Sequence, residues 1–448
     1  MSSVPALDRT VALLRGDLFP TLDPDLLADE LSAGRVLLGA DRANLRCPAA
    51  QTALVTTFLA IAQCGLKVYL DIPDVAIAGP QPPLRGTQLR VGLLDLASDL
   101  ITPASLDPAP PGTTQVLVGD TPAATNGTLL RIGGAPFRAE LRVGPDARVE
   151  PFRGANPLGP VLAGIAAAAE TMRMSARAIR DRHGVEVAAV FDLDGPREVE
   201  LELPPITLPA FLDLGSVDFI SAGAITNACL FVLLRVRGMA GAFRVIDADR
   251  GEETNLNRYG LLRRSDLDRP KVEVLNGYGR PGLEIKPLEL RLEEATAAAV
   301  APLAPSVVCG VDDIPSRWLV QGMGPRWLCV GGTSHFTVLV SEHTAGMPCA
   351  GCLHPEDDLD APAELPTISF TSLLAGALQA HRLLAHATGS APTDPTLGAS
   401  FNLRAPHALE ELPVSAREDC PVGCEESQAL SDLTLPREIA TLGSPRGG

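Results

Sequence analysis

Residues 245–271, VIDADRGEETNLNRYGLLRRSDLDRPK, place polar groups at fixed intervals behind an apolar strand. The run AFRVI closes on Asp247, Asn255 follows eight residues later, Arg258 three after that, and Lys271 thirteen further on. A carboxylate at the carboxyl end of a parallel strand can take ribose hydroxyls. Arg and Lys side chains converging on phosphates neutralise the charge that builds in a phosphoryl or adenylyl transition state. The block therefore reads as a nucleotide site. Lysine occurs only at Lys67, Lys271 and Lys286 in a chain that otherwise uses arginine, so a lysine here points to a role that arginine does not fill.

Two flanking stretches complete the pattern. Downstream, PSVVCG (residues 305–310) runs into Asp312 and Asp313, with Arg317 beyond them; this reads as a second strand end setting a carboxylate over the same crevice. Upstream, Val217 to Ile220 reads as a strand, and SAGAITN (residues 221–227) opens a helix. The frame of a glycine-rich phosphate loop survives there as S-x-G-x-x-T, with Gly223 its one glycine. Ser and Thr are small, and Gly223 lets the backbone approach a phosphate at a helix N-terminus. Such a turn occurs in any doubly wound sheet; Asp247, Asn255, Arg258, Lys271 and Asp312 are what turn it into a nucleotide loop.

The spacing D-x-D-x5-N-L-x-R-x12-K, followed by a strand-terminal D-D-x3-R, resembles the ThiF/MoeB superfamily, which includes the ubiquitin-activating enzymes. The resemblance implies ribose binding by Asp247, with Asp249 and Gly223 beside it in the nucleotide site. It also implies phosphate contacts from Asn255, Arg258 and Lys271, and a magnesium ligand at Asp312. Tyr259 departs from the glutamine that often follows the Arg of this motif. The activity implied is ATP-dependent adenylation of the C-terminal carboxylate of a ubiquitin-like protein, with a separate conjugating enzyme as a second partner. Alternatives within the same fold are a sulfur-carrier or peptide adenylyltransferase, and a scaffold that has lost ATP. A nicotinamide dehydrogenase has no use for the Asn-Arg-Lys set.

Cysteines supply the other strong signal. Cys349 and Cys352 form a C-x2-C pair, and Cys420 and Cys424 a C-x3-C pair. Four thiolates leave no open coordination position, so the pairs predict one structural zinc that staples the C-terminal segment to the core. The superfamily often carries such a four-cysteine site. Cys64, Cys229, Cys309 and Cys329 lie in apolar runs and read as core residues; Cys47 falls in a loop between Arg46 and Pro48. No cysteine stands between Leu353 and Thr367, where ubiquitin-activating relatives place their thioester nucleophile.

At 448 residues the chain exceeds what one hydrophobic core serves, which predicts two domains. A formal net charge of −17 without a basic block argues against nucleic acid and anionic membranes as partners. The N-terminus lacks an apolar signal region, and the runs 49–64 and 158–169 are too short to span a bilayer, so a cytoplasmic bacterial protein is expected. The first half reads as a worn copy of the second. Strand 35–40, helix 49–64, and strand 67–70 ending in Asp71 parallel strand 217–220, helix 224–237, and strand 243–246 ending in Asp247. Strand 115–118 and helix 158–172 parallel strand 306–309 and helix 369–384. The chemistry does not repeat, because Pro- and Gly-rich sequence from Gly79 to Gly86 replaces the Asn-Arg-Lys set. The expected fold is α/β with two Rossmann-like adenylation-type domains and largely parallel sheets. The first (residues 1–200) is degenerate, the second (201–430) is active and holds the zinc, and residues 431–448 form a tail. Ubiquitin-activating enzymes resemble this plan, pairing an inactive with an active adenylation half. Oligomeric state is left open.

Overall fold

The computed structural model describes residues 5–124, 126–188, 192–195, 197–344, 347–355, 366–390, 398–402, 410–412 and 414–423. Cys424 and residues 431–448 lie outside them.

The first half opens with two helices that the sequence reading did not place, α1 (Asp8–Asp17) and α2 (Pro24–Ala33). Asp23 starts α2 by accepting the backbone N–H groups of Asp25 and Leu26, with Pro24 at the first helical position, where its missing N–H costs nothing. Then come β1 (Arg35–Gly39), α3 (Pro48–Gln63), β2 (Lys67–Asp71), α4 (Leu89–Ser98), β3 (Thr114–Val118), β4 (Leu129–Ala135), β5 (Arg138–Val143), α5 (Leu158–His183) and β6 (Val199–Glu202). The second half runs β7 (Leu212–Ile220), α6 (Ala224–Leu233), β8 (Met239–Ile246), α7 (Lys271–Asn276), β9 (Leu283–Leu288), α8 (Ala297–Val300), β10 (Ser306–Cys309), α9 (Ile314–Gly322), β11 (Trp327–Ser334), β12 (Thr337–Thr344), α10 (Ala350–Leu353), α11 (Ser369–Ala387), β13 (Gly398–Asn402) and β14 (Glu410–Leu412).

One six-stranded sheet has the order β2-β1-β3-β4-β5-β6; an eight-stranded sheet has β14-β13-β12-β11-β10-β7-β8-β9. From β8 to β13 the second order repeats the first strand for strand, with β9 and β14 added at its two edges. Both sheets are parallel at the centre and turn antiparallel on one side, at β4–β5–β6 and at β11 to β14. The expectation of largely parallel sheets is corrected on that side. Its cause is local: only Pro136 and Phe137 join β4 to β5, and only His335 and Phe336 join β11 to β12. A link of two residues allows nothing but an antiparallel hairpin.

Four helices close the seam between the sheets, α3 against α5, α6 against α11, and α11 against both α5 and α3. Two glycines allow the close crossings. A Cβ on Gly164 of α5 would meet Thr56 of α3 at 2.7 Å, and one on Gly376 of α11 would meet Ala228 of α6 at 2.4 Å. α3 has every residue from Ala49 to Gln63 buried, as its apolar sequence requires. Among the described residues no helix is long and apolar enough to cross a membrane.

Candidate active site

β7 delivers the chain to Ser221, whose φ is +82°, a left-handed conformation that a glycine adopts without steric cost. Its hydroxyl accepts the Gly223 N–H at 2.9 Å and lies 3.3 Å from Asp247 Oδ2. Gly223 is the N-cap of α6 and offers no side-chain cap, so the first amides of the helix point out of the loop unanswered by a cap. Asp247, one residue past the end of β8, has both carboxylate oxygens engaged: Oδ2 accepts the Ala222 N–H at 2.6 Å and Oδ1 the Asp249 N–H at 2.7 Å. It ties the loop after β7 to the loop after β8.

The next three residues of the motif lie below the surface. Asn255 ends a short 3-10 turn and closes it through Oδ1, which accepts the Glu252 N–H at 3.0 Å. Arg258 is buried and donates to Thr254 O at 2.7 Å and to Asn257 Oδ1 at 2.6 Å. Lys271, the first residue of α7, is buried with its amine 3.0 Å from Asp249 Oδ2. Burial alone would depress the Lys271 pKa, yet Tyr259, Asp247 and Asp249 together outweigh it and hold the ammonium above its ordinary range. The Tyr259 ring lies near both cations, its centroid 5.4 Å from Arg258 Cζ and 5.6 Å from Lys271 Nζ.

Across the sheet, β10 ends at Cys309 and the chain turns over Asp312 and Asp313. Asp313 caps α9 by accepting the Ser316 N–H at 2.8 Å, while the Asp312 side chain is exposed over the crevice. A cleft of about 710 Å³ opens here, with Ser221, Asp247, Asp249, Arg291, Asp312 and Trp318 in its wall. Asp247, Asp249 and Asp312 therefore face one crevice. Arg258 and Lys271 sit behind that wall, reached through Asp249 and Tyr259.

At the corresponding strand ends of the first half, side chains bond to one another across the loops. Asn44 Nδ2 reaches Asp120 Oδ1 at 3.1 Å and Asp41 Oδ1 at 3.2 Å. Its Oδ1 lies 2.4 Å from where a Cβ on Gly119 would start.

Cys349, Cys352 and Cys420 bring their sulfurs within 4.8 Å of one another; the fourth expected ligand, Cys424, lies outside the described residues. Burial, then the neighbouring Cys420, pushes the Cys349 thiol well up, a penalty that a divalent cation would reverse. Three soft donors at this separation, two of them buried, fit zinc. The knuckle is fixed to α9, with Gln321 Oε1 accepting the Ala350 N–H at 3.2 Å and Trp318 Nε1 donating to His354 O at 2.8 Å. Arg317 is buried and holds Val311 O at 3.0 Å and His354 Nε2 at 3.0 Å. The cysteine cluster is thus braced against the helix whose first turn borders the crevice. Elsewhere Cys64, Cys229, Cys309 and Cys329 are fully buried, and burial pushes their thiols up, Cys64 to about 12 and Cys309 to about 11. Cys47 is half-buried and directs its sulfur at Gly154 O, 3.4 Å away.

Several contacts that hold the site's loops escaped the sequence. Gln63 Nε2, at the end of α3, donates to Tyr259 O at 2.8 Å. Asn257 Nδ2 donates to Thr10 Oγ1 at 3.0 Å and to Thr367 O at 3.2 Å. Thr10 stands 247 residues away along the chain from Asn257, a separation that no spacing rule detects.

A doubly wound α/β half with carboxylates at two strand ends, a helix N-terminus between them and buried cations behind defines an adenylation-type fold. Residues 222–422 match the model of the ThiF family, and that part of the chain is a ThiF-family adenylation domain. The uncharacterized protein y4jF of Sinorhizobium fredii is 29% identical over 153 residues, which cover 34% of this chain and 29% of y4jF. Among solved structures, E. coli MccB with MccA-N7isoASN is similar at 16% identity and a TM-score of 0.41, over 46% of this chain and 67% of MccB. E. coli MccB with ATP is similar at 16% identity and a TM-score of 0.40, over 46% and 66%.

Proposed function

We propose that the second half uses ATP to adenylate the C-terminal carboxylate of a ubiquitin-like protein, as the activating step of a bacterial protein-modification pathway. The observation that carries this reading is the gathering of Asp247, Asp249, Arg258 and Lys271 around the start of α6, opposite Asp312. The partner's carboxylate attacks the α-phosphorus of ATP, pyrophosphate leaves, and an acyl-adenylate remains. Asp247 and Asp249 meet the ribose side of the nucleotide, and the α6 amides meet its phosphates. Arg258 and Lys271 supply positive charge from behind the wall, in a desolvated setting where it acts strongly. A magnesium ion held by Asp312 would neutralise phosphate oxygens. The buried, high-pKa cysteines favour a chain that hands its adenylate on without forming a thioester of its own.

A sulfur carrier or a peptide as carboxylate donor needs the same residues. The scaffold reading draws on a different observation, the engagement of Asp247, Arg258 and Lys271 by protein partners. ATP–pyrophosphate exchange, with a ubiquitin-fold protein of the same genome as carboxylate donor, separates enzyme from scaffold. Lys271→Ala and Asp312→Ala should each lower exchange by about a hundredfold or more with unchanged circular dichroism. Full exchange in both variants would refute the assignment.

A further inference from the structure

Tyr259 is the polar side chain at the nucleotide loop that the mechanism above leaves unused. It is 4% exposed, and its ring packs among Leu256, Leu262 and Val274. Its hydroxyl points the other way, 3.9 Å from where a Cβ on Gly223 would start. Three of the polar groups near it are engaged elsewhere: Ser221 with Asp247, Lys271 with Asp249, Arg258 with Thr254 and Asn257. The Tyr259 hydroxyl forms no hydrogen bond among the described residues and is not sealed from solvent, unlike the buried ring that carries it. A phenol donor held rigidly by its buried ring and left open at the hydroxyl is placed to meet a bound group.

The surroundings state what that group is. Two buried cations lie within 5.6 Å of the ring centroid, and the uncapped N-terminus of a ten-residue helix stands beside the hydroxyl. A second hydroxyl on the first turn of α6, Thr226 Oγ1, is fully buried and also lacks a partner. Cations, helix amides and free hydroxyl donors together select an anion rich in oxygen acceptors. The loop is poor in glycine, and Ser221 spends its hydroxyl on Gly223 and Asp247, so a donor from another segment has a place to fill.

We propose that Tyr259 is a phosphate-contacting residue, donating its hydroxyl hydrogen to a phosphate oxygen of the nucleotide at the start of α6. This rests on the reading of the crevice as an ATP site and names a further group within it. The role requires the hydroxyl and not the ring, which fixes the test.

Binding of Mg–ATP and of adenosine to the full chain should be measured by calorimetry, adenosine by competition, for the wild type, Tyr259→Phe and Tyr259→Gln. Tyr259→Phe keeps the packing and loses the donor, so ATP should bind about tenfold or more weakly while adenosine affinity is unchanged. Tyr259→Gln keeps a donor and loses the ring, so the ratio of ATP to adenosine affinity should stay near that of the wild type. Equal ATP binding by wild type and Tyr259→Phe would overturn this proposal alone. So would a Tyr259→Phe variant that weakens ATP and adenosine in parallel, because that is a packing effect. A wild-type protein that binds no Mg–ATP would overturn the nucleotide reading and the role of Tyr259 with it.

Discussion

Ser221 carries the clearest conflict between local preference and site geometry, since its φ of +82° is one that only glycine adopts freely. The strain persists because the hydroxyl is tied to Gly223 and Asp247, which fixes the turn that presents α6. Ser221→Ala keeps the strain and loses those bonds, whereas Ser221→Gly relieves the strain as it loses them. Ser221→Gly should therefore be the more stable variant by about 1 kcal/mol, measured by urea denaturation; the reverse order would show that the strain is not real. At this scale the spacing located the positions and was poor about orientation. Asp247 and Asp312 follow strand ends, Asn255 and Arg258 lie in the turn behind β8, and Lys271 opens α7, which is where the spacing put them. That Arg258 and Lys271 lie buried behind the wall was not legible, since depth depends on Tyr259 and on segments hundreds of residues away.

Among elements, α9 links the crevice to the cysteine cluster. Its first turn borders the cleft beside Asp312, and Gln321, Trp318 and Arg317 fasten it to the knuckle of Cys349 and Cys352. The freshly purified protein should contain one zinc per chain, read by metal analysis. Cys349→Ser should lower the melting temperature more than it alters nucleotide affinity, because four ligands close the site to chemistry. Zinc-free protein with unaltered stability would contradict this role. The strands and long helices were readable from apolar runs, though α5 continues to His183, where Gly184 at φ +60° caps it, and α6 stops at Leu233. The two hairpins were missed because Pro136–Phe137 and His335–Phe336 are not the Asn-Gly or Asp-Gly links that announce tight turns.

Over the whole molecule, the shared strand order of the two sheets supports duplication, and the halves hold each other reciprocally. Gln63 at the end of α3 binds the carbonyl of Tyr259 in the second half. Arg235, just past α6, binds the carbonyl of Pro82 in the first half. The Pro- and Gly-rich segment 79–86 of the first half docks on the second: Arg263 reaches Pro83 O there at 2.6 Å. Gln63→Leu should accordingly reduce adenylation activity several-fold without loss of zinc, since a buried carbonyl is left unpaired and the Arg258 loop loosens; unchanged kinetics would confine the first half to packing. His381 ties α11 to Pro204 O at 2.8 Å beyond the last strand of the first sheet. Burial, opposed by that bond, lowers its pKa from 6.5 to about 4. The unfolded chain therefore takes up a proton near pH 6.5 that the folded one refuses. The stabilisation is complete above pH 6.5 and is lost as pH falls toward 4, at roughly 1 kcal/mol per pH unit at most. His381→Gln should flatten the fall in stability between pH 7 and pH 5; an unchanged slope would place the acid sensitivity elsewhere.

The central claim is that the second half joins AMP to a protein carboxylate, and the product itself tests it most directly. The chain should be incubated with Mg–ATP and the ubiquitin-fold partner, quenched in acid, and the partner's C-terminal fragment weighed by mass spectrometry. The account predicts a partner carrying AMP on its C-terminal carboxylate, with pyrophosphate released in equal amount and no adduct on any cysteine of this chain. An unmodified partner, or ATP split to ADP and phosphate, would contradict it.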